Sequence, residues 1–123
     1  MRADLEVTVN RTLILIMPLQ PALDWLFATD PSLIQQISLD SLRQEQDAYL
    51  VSEDKFNSPD DAKRWVERHW KEFFSQFLGA WYVDESLWPK GRTLNMFKEW
   101  FEVQHHSMVW DLSRDPLIRE QLD

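Results

Sequence analysis

The stretch Ser58–Val83, SPDDAKRWVERHWKEFFSQFLGAWYV, constrains the fold more than any other part of the chain. Its apolar residues at 62, 65, 66, 70, 73, 74, 77 and 78 share one stripe of a helix. A stripe of that length must be covered, so the remaining elements have to supply a surface for it. Ser58 is a good N-cap, Pro59 fits the first turn, and Asp60 and Asp61 meet the positive end of the helix dipole. The spacing turns Trp65, Trp70, Phe73 and Phe77 inward and Lys63, Glu67 and Lys71 outward. Trp81 and Tyr82 continue the stripe past Gly79. An unbroken helix over residues 59–82 would run about 36 Å, long for this domain, so a stop or bend is expected near Gly79.

The rest of the chain offers strands and shorter helices as cover. Leu13–Met17 is an unbroken apolar run closed by Pro18, which reads as a central strand covered on both faces. Pro21 opens a short helix with Leu23, Leu26 and Phe27 on one face, and Pro31 ends it. Residues 32–46 hold one or two helical turns, with Ser38 or Asp40 as a cap. Ala48–Ser52 alternates like a second strand. Thr93 caps a helix reaching about Phe101, with Leu94, Phe97, Trp100 and Phe101 inward. The stretch 101–112, FEVQHHSMVWDL, reads as the third strand, and its Met108–Leu112 portion is expected to lie buried in the same sheet as Leu13–Met17. The fold class is therefore α+β: a small three-stranded, mostly antiparallel sheet with about three to four helices packed on it, in the order β-α-(α)-β-α-α-β. A chain of 123 residues is one domain on length. Residues 1–9 read as a polar lead-in, 10–117 as the α+β domain, and 118–123 as a polar tail.

Charge and residue usage exclude several functions. The net charge is −8, and residues 40–61 carry seven acids (Asp40, Glu45, Asp47, Glu53, Asp54, Asp60, Asp61) against two bases, Arg43 and Lys55. Binding to nucleic acid or to an anionic membrane rests on Lys and Arg neutralising phosphates, so neither partner is expected. The acidic segment reads either as a solvated face or as a patch that steers a basic protein partner. There is no cysteine, which rules out disulfides, Cys-ligated zinc and thiol catalysis. The early apolar run is too short for a secretory or membrane-spanning segment, and a cytoplasmic location is the expectation.

No constellation of residues carries an evident chemistry. His105 and His106 are adjacent on an expected strand and so point to opposite faces, which prevents them from chelating one ion. If Met108, Trp110 and Leu112 face the core, His106 shares that face. His69, the third histidine, lies on the long helix, and no H-E-x-x-H or related spacing occurs, so no metal or cofactor is expected. Ser107 follows His106 without a G-x-S-x-G elbow. With Gly79 and Gly91 as the only glycines, phosphate-cradling loops are excluded. Acid pairs such as Asp60–Asp61 and Asp84–Glu85 sit where capping accounts for them. Seven tryptophans in this length are an excess, and the core is expected to claim four or five. Trp88 differs, because it sits in the turn ESLWPKGR beside Lys90 and Arg92. It reads equally as an interface hot spot or as an anchor plugging the loop into the core. Trp88, Lys90, Arg92 and His106 are therefore the binding candidates, and Arg92 with Asp111 is the expected structural ion pair.

NRTLILIMPLQPALDW, AYLV and DESLWPKGRTLNMFKEWFEVQHHSMVWDL together resemble a family of short, uncharacterised bacterial proteins. The most specific part is W-P-x-x-R-T-x-x-x-F-x-x-W-F, here Trp88, Pro89, Arg92, Thr93, Phe97, Trp100 and Phe101, followed by H-S-M-V at 106–109. The resemblance implies a compact bacterial cytoplasmic protein, implies that Met1–Val9 lies outside the shared domain, and transfers no mechanism. Function is expected to be a non-enzymatic, acidic binding or interaction module acting on a protein partner, with an inhibitor- or immunity-like version as its most specific form. The alternative is a small enzyme with a His/carboxylate pocket near His105, His106 and Arg92.

Overall fold

The structure, a computed structural model, describes residues 7–122. Three strands, β1 (Arg11–Pro18), β2 (Ala48–Ser52) and β3 (Phe101–His106), form an antiparallel sheet in the order β2-β1-β3. Five α-helices accompany them: α1 (Gln20–Thr29), α2 (Leu39–Gln44), α3 (Pro59–Arg68), α4 (Trp70–Trp81) and α5 (Leu94–Trp100). The apolar run does form the central strand. Its burial nevertheless alternates, with Thr12, Ile14, Ile16 and Pro18 buried and Leu13, Leu15 and Met17 half-buried. One face of the sheet, carrying Thr12, Ile14, Ile16 and Pro18, is buried; α3 packs on β3, α1 and α2 meet β1, and α4 and α1 pack on α5. The other face presents Leu13, Leu15 and Met17 flanked by Leu50, which is 50% exposed.

Local chemistry explains most boundaries. The side chains of Ser58 and Thr93 accept hydrogen bonds from the backbone N–H groups of Asp61 and Met96, capping α3 and α5. Ser38, rather than Asp40, caps α2, in a reciprocal box with Ser41. The long stripe breaks ten residues before the expected point. His69 (φ −110°, ψ 24°) leaves helical geometry, and its N–H donates to Val66 O at 3.0 Å. This break redirects the chain from β3, which α3 covers, to α5, which α4 covers. Gly79 lies inside α4, and the helix runs on to Trp81. A Cβ at Gly79 would meet only the Trp88 ring, at 3.5 Å, which is ordinary contact.

The core centres on Phe74, which is fully buried and packs against Phe97, Trp100 and Phe101 at ring separations of 5.9, 5.2 and 5.5 Å. Phe77 is buried as expected, whereas Trp65, Trp70 and Phe73 are half-buried. Lys63 and Lys71 are exposed, while Glu67 is partly covered and lies 3.9 Å from Lys98 Nζ. Of the tryptophans, Trp100 is buried, Trp110 is 48% exposed, and the other five lie half-buried against the core.

The third strand lies within the expected stretch 101–112 but ends at His106. β3 starts directly after α5 with no connecting residue, pairing Phe101 with Pro18 and His106 with Leu13. Met108–Leu112 is not a buried strand, since Met108 is 62% and Leu112 47% exposed. Instead residues 109–111 lie beside residues 7–9. Val9 N–H donates to Val109 O at 3.2 Å, Asp111 N–H donates to Val7 O at 3.0 Å, and Thr8 and Trp110 form a bridge. Residues 1–6 of the expected lead-in lie outside the described residues.

Two substitutions test this packing. Phe74→Ala is expected to cost about 3–5 kcal/mol in denaturant titration, and Phe73→Ala no more than about half of that. Gly79→Ala is expected to raise stability by about 0.5–1 kcal/mol, since it lowers the entropy lost on helix formation at a position with room for a methyl group. A destabilised Gly79→Ala protein would show that the Trp88 ring cannot accommodate the methyl.

Candidate functional site

Between α2, α4 and the helix-covered face of the sheet lies a cleft of about 400 Å³. That volume falls within the usual range for a small-molecule or side-chain pocket. Helical periodicity builds one wall, because Phe73, Phe77 and Trp81 recur every four residues along α4. Strand parity supplies another, because Tyr49 points to the same side of the sheet as Ile14, its partner on β1. Phe77 is buried, whereas Tyr49, Phe73 and Trp81 keep part of their rings open. Tyr49 and Phe73 meet edge to face, with centroids 5.2 Å apart and planes at 75°.

The charged residues of the lining are Glu45 and Asp47, at the connection from α2 to β2. Among the described residues no lysine, arginine or histidine lines it. Burial and, second, the Asp47 charge push the Tyr49 hydroxyl above the usual tyrosine value. Of the seven acids between Asp40 and Asp61, Asp61 alone has an ion-pair partner among the described residues, Arg64 at 3.8 Å. The segment's own Arg43 is turned away: Nη1 donates to Pro18 O at 3.0 Å and Nη2 to Glu102 Oε1 at 2.8 Å. Arg43 thereby ties α2 to the ends of β1 and β3 and leaves the cleft's carboxylates uncompensated. The Glu102 carboxyl is held below the usual range, chiefly by the hydrogen bond from Arg43 and then by that from Gln104. Ser41, a hydroxyl in the lining, is committed to the capping box of α2. The arrangement can receive a cation with an apolar body.

The residues singled out from sequence lie elsewhere. Trp88 is half-buried, its indole N–H donates to Tyr82 O at 2.8 Å, and its ring rests against Gly79. This geometry is the loop anchor rather than an exposed hot spot. Arg92 lies over the Trp88 ring, 5.5 Å from its centroid, and donates to Pro89 O at 2.7 Å. Gly91, at φ 68°, permits the tight turn between them. The expected Arg92–Asp111 ion pair is not formed, since the Asp111 carboxylate accepts from Ser113 N–H. Lys90 is exposed beside this turn.

The histidines also exchange faces relative to expectation. His105 opposes Ile14 on the helix-covered side, and His106 opposes Leu13 on the open side, where it is exposed. His105 packs edge to face on Phe56 at 5.5 Å. Its Nε2 is buried without a hydrogen-bond partner among the described residues, as is Thr12 Oγ1. Among the described residues no group of three or more His, Asp or Glu is arranged to hold a metal ion. No described helix is long and apolar enough to cross a membrane.

No protein-family model matches the chain, and neither a curated protein nor a solved structure matches it.

Sequence reasoning missed Glu45, Asp47, Tyr49, Phe73 and Trp81 as a group. Their signals were separate: an acidic run, a strand parity and a helical stripe.

The Arg43 tie is testable through pH. Arg43→Met is expected to lower stability at pH 7 by about 1 kcal/mol, mainly through the Pro18 hydrogen bond, because the half-exposed ion pair is screened. Glu102 has a depressed value in the folded state. Its contribution is therefore full above the unfolded glutamate range and is lost as pH falls through the folded value. The gap between wild type and variant should narrow on acidification, and a gap that widens would refute the assignment.

Proposed function

We propose that the protein is a cytoplasmic, non-enzymatic binding module that engages a basic protein partner through the Asp40–Asp61 face and the adjoining cleft. The observation that carries this reading is the lining of the cleft: aromatic walls, with Glu45 and Asp47 as its charged groups. Carboxylates without nearby cations set up a negative potential that speeds encounter with a positive partner, and half-open rings supply area for contact. The net charge of −8 acts in the same direction, against nucleic acid and anionic membrane as partners. The enzyme alternative draws on His105, His106 and Arg92. None of these lines the cleft, and Arg92 is occupied by Trp88 and Pro89.

The test uses a lysine decapeptide and amide chemical-shift mapping in dilute salt. Shifts concentrated in residues 40–61 and in the α4 wall, weakening as salt is raised, are expected. Shifts spread equally over the remote acids Asp24, Glu99 and Glu120, or no shifts at all, would overturn the reading.

A further inference from the structure

We infer that the cleft is a receptor for a partner's lysine side chain, an alkylammonium head on an apolar stem. This rests on the binding-module reading above and adds the anchor residue. Charge comes first. Among the described residues the lining carries carboxylates at Glu45 and Asp47 and no positive group, so an anionic head meets repulsion while a cation meets attraction. Asp47 precedes Tyr49 by two residues, and after burial its charge is the second cause that raises the Tyr49 hydroxyl.

Ring geometry then selects among cations. Tyr49 and Phe73 stand at 75° with centroids 5.2 Å apart, forming a corner instead of a flat shelf. A compact, rounded ammonium can lie against two ring faces in such a corner, and attraction to a ring quadrupole requires a centroid within about 6 Å. A planar guanidinium gains most by stacking on one flat face, which a corner of two rings does not offer. Trp81, half-buried four residues beyond Phe77, extends the wall for the methylene stem, which is the part of a lysine that covers apolar surface.

The side chain itself is the probe. Titrate the full chain with n-butylamine, n-butylguanidine, 1-butanol and butanoate, following the Trp81 indole N–H, assigned with Trp81→Phe. Butylamine is expected to shift that resonance with a Kd in the millimolar range. It should bind at least about fivefold more tightly than butylguanidine or butanol, and butanoate should give no shift. Glu45→Gln with Asp47→Asn should weaken butylamine about tenfold, whereas Glu99→Gln with Glu120→Gln, outside the acidic face and the cleft, should leave it unchanged. Both double variants exchange exposed side chains, and amide dispersion verifies their folding. Equal binding of butylamine and butanol would overturn the inference in favour of a merely apolar groove. Guanidine binding as tightly as amine would overturn the choice of cation. If no small probe binds but the lysine decapeptide still shifts residues 40–61, the receptor inference fails and the acidic-face reading stands. If neither binds, both fail.

Discussion

The junction between Trp100 and Phe101 governs the arrangement of the whole molecule. One residue ends a helix and the next begins a strand, and both are buried against Phe74. Leu19 N–H donates to Trp100 O at 2.8 Å just where β1 leaves the sheet. The exit of β1 and the entry of β3 are thereby fixed to each other, and with them the register that places Phe101 beside Pro18. Because side chains alternate along a strand, a shift of one residue would move Phe101 and Val103 to the open face and uncover Phe74. Register, core and helix placement are settled by one contact set.

The cleft follows from two departures from regularity around that junction. The break at His69 lets α3 stay on β3 while α4 turns towards α5. Arg43 holds α2 to the strand ends at Pro18 and Glu102. Space remains between α2 and α4, above Ile16 and Phe101, and the side chains bounding it come from all three strands, α2, α4 and the connections around α2. The same Arg43 that shapes the cleft leaves its rim acidic, because that guanidinium is consumed elsewhere.

Much of the fold was legible in the chain. Ser58 and Thr93 announced their helices, β2 occupies Ala48–Ser52 as its alternation required, and the run Leu13–Met17 is central. The third strand falls within the expected stretch 101–112 but stops at His106, short of the more apolar Met108–Leu112. Pairing outweighs hydropathy there, since β3 can be buried only where β1 lies beside it, and His106 already opposes Leu13. The His69 break left no mark, because RHW contains neither Gly nor Pro and the stripe keeps its spacing across it. The site was the least legible part. Tyr49 and Phe73 are distant in sequence, and a concavity is a property of how elements pack, which periodicity does not encode.

The pairing of residues 7–9 with 109–111 places both outer ends of the domain at one pole, running antiparallel. Tension applied between those ends pulls across the strands rather than along them. The Val7–Asp111 and Val9–Val109 hydrogen bonds then bear load one after another, followed by the β1–β3 ladder from Leu13 and His106 inward. The domain opens like a zipper and offers little mechanical resistance, in contrast to a fold whose terminal strands are sheared in parallel.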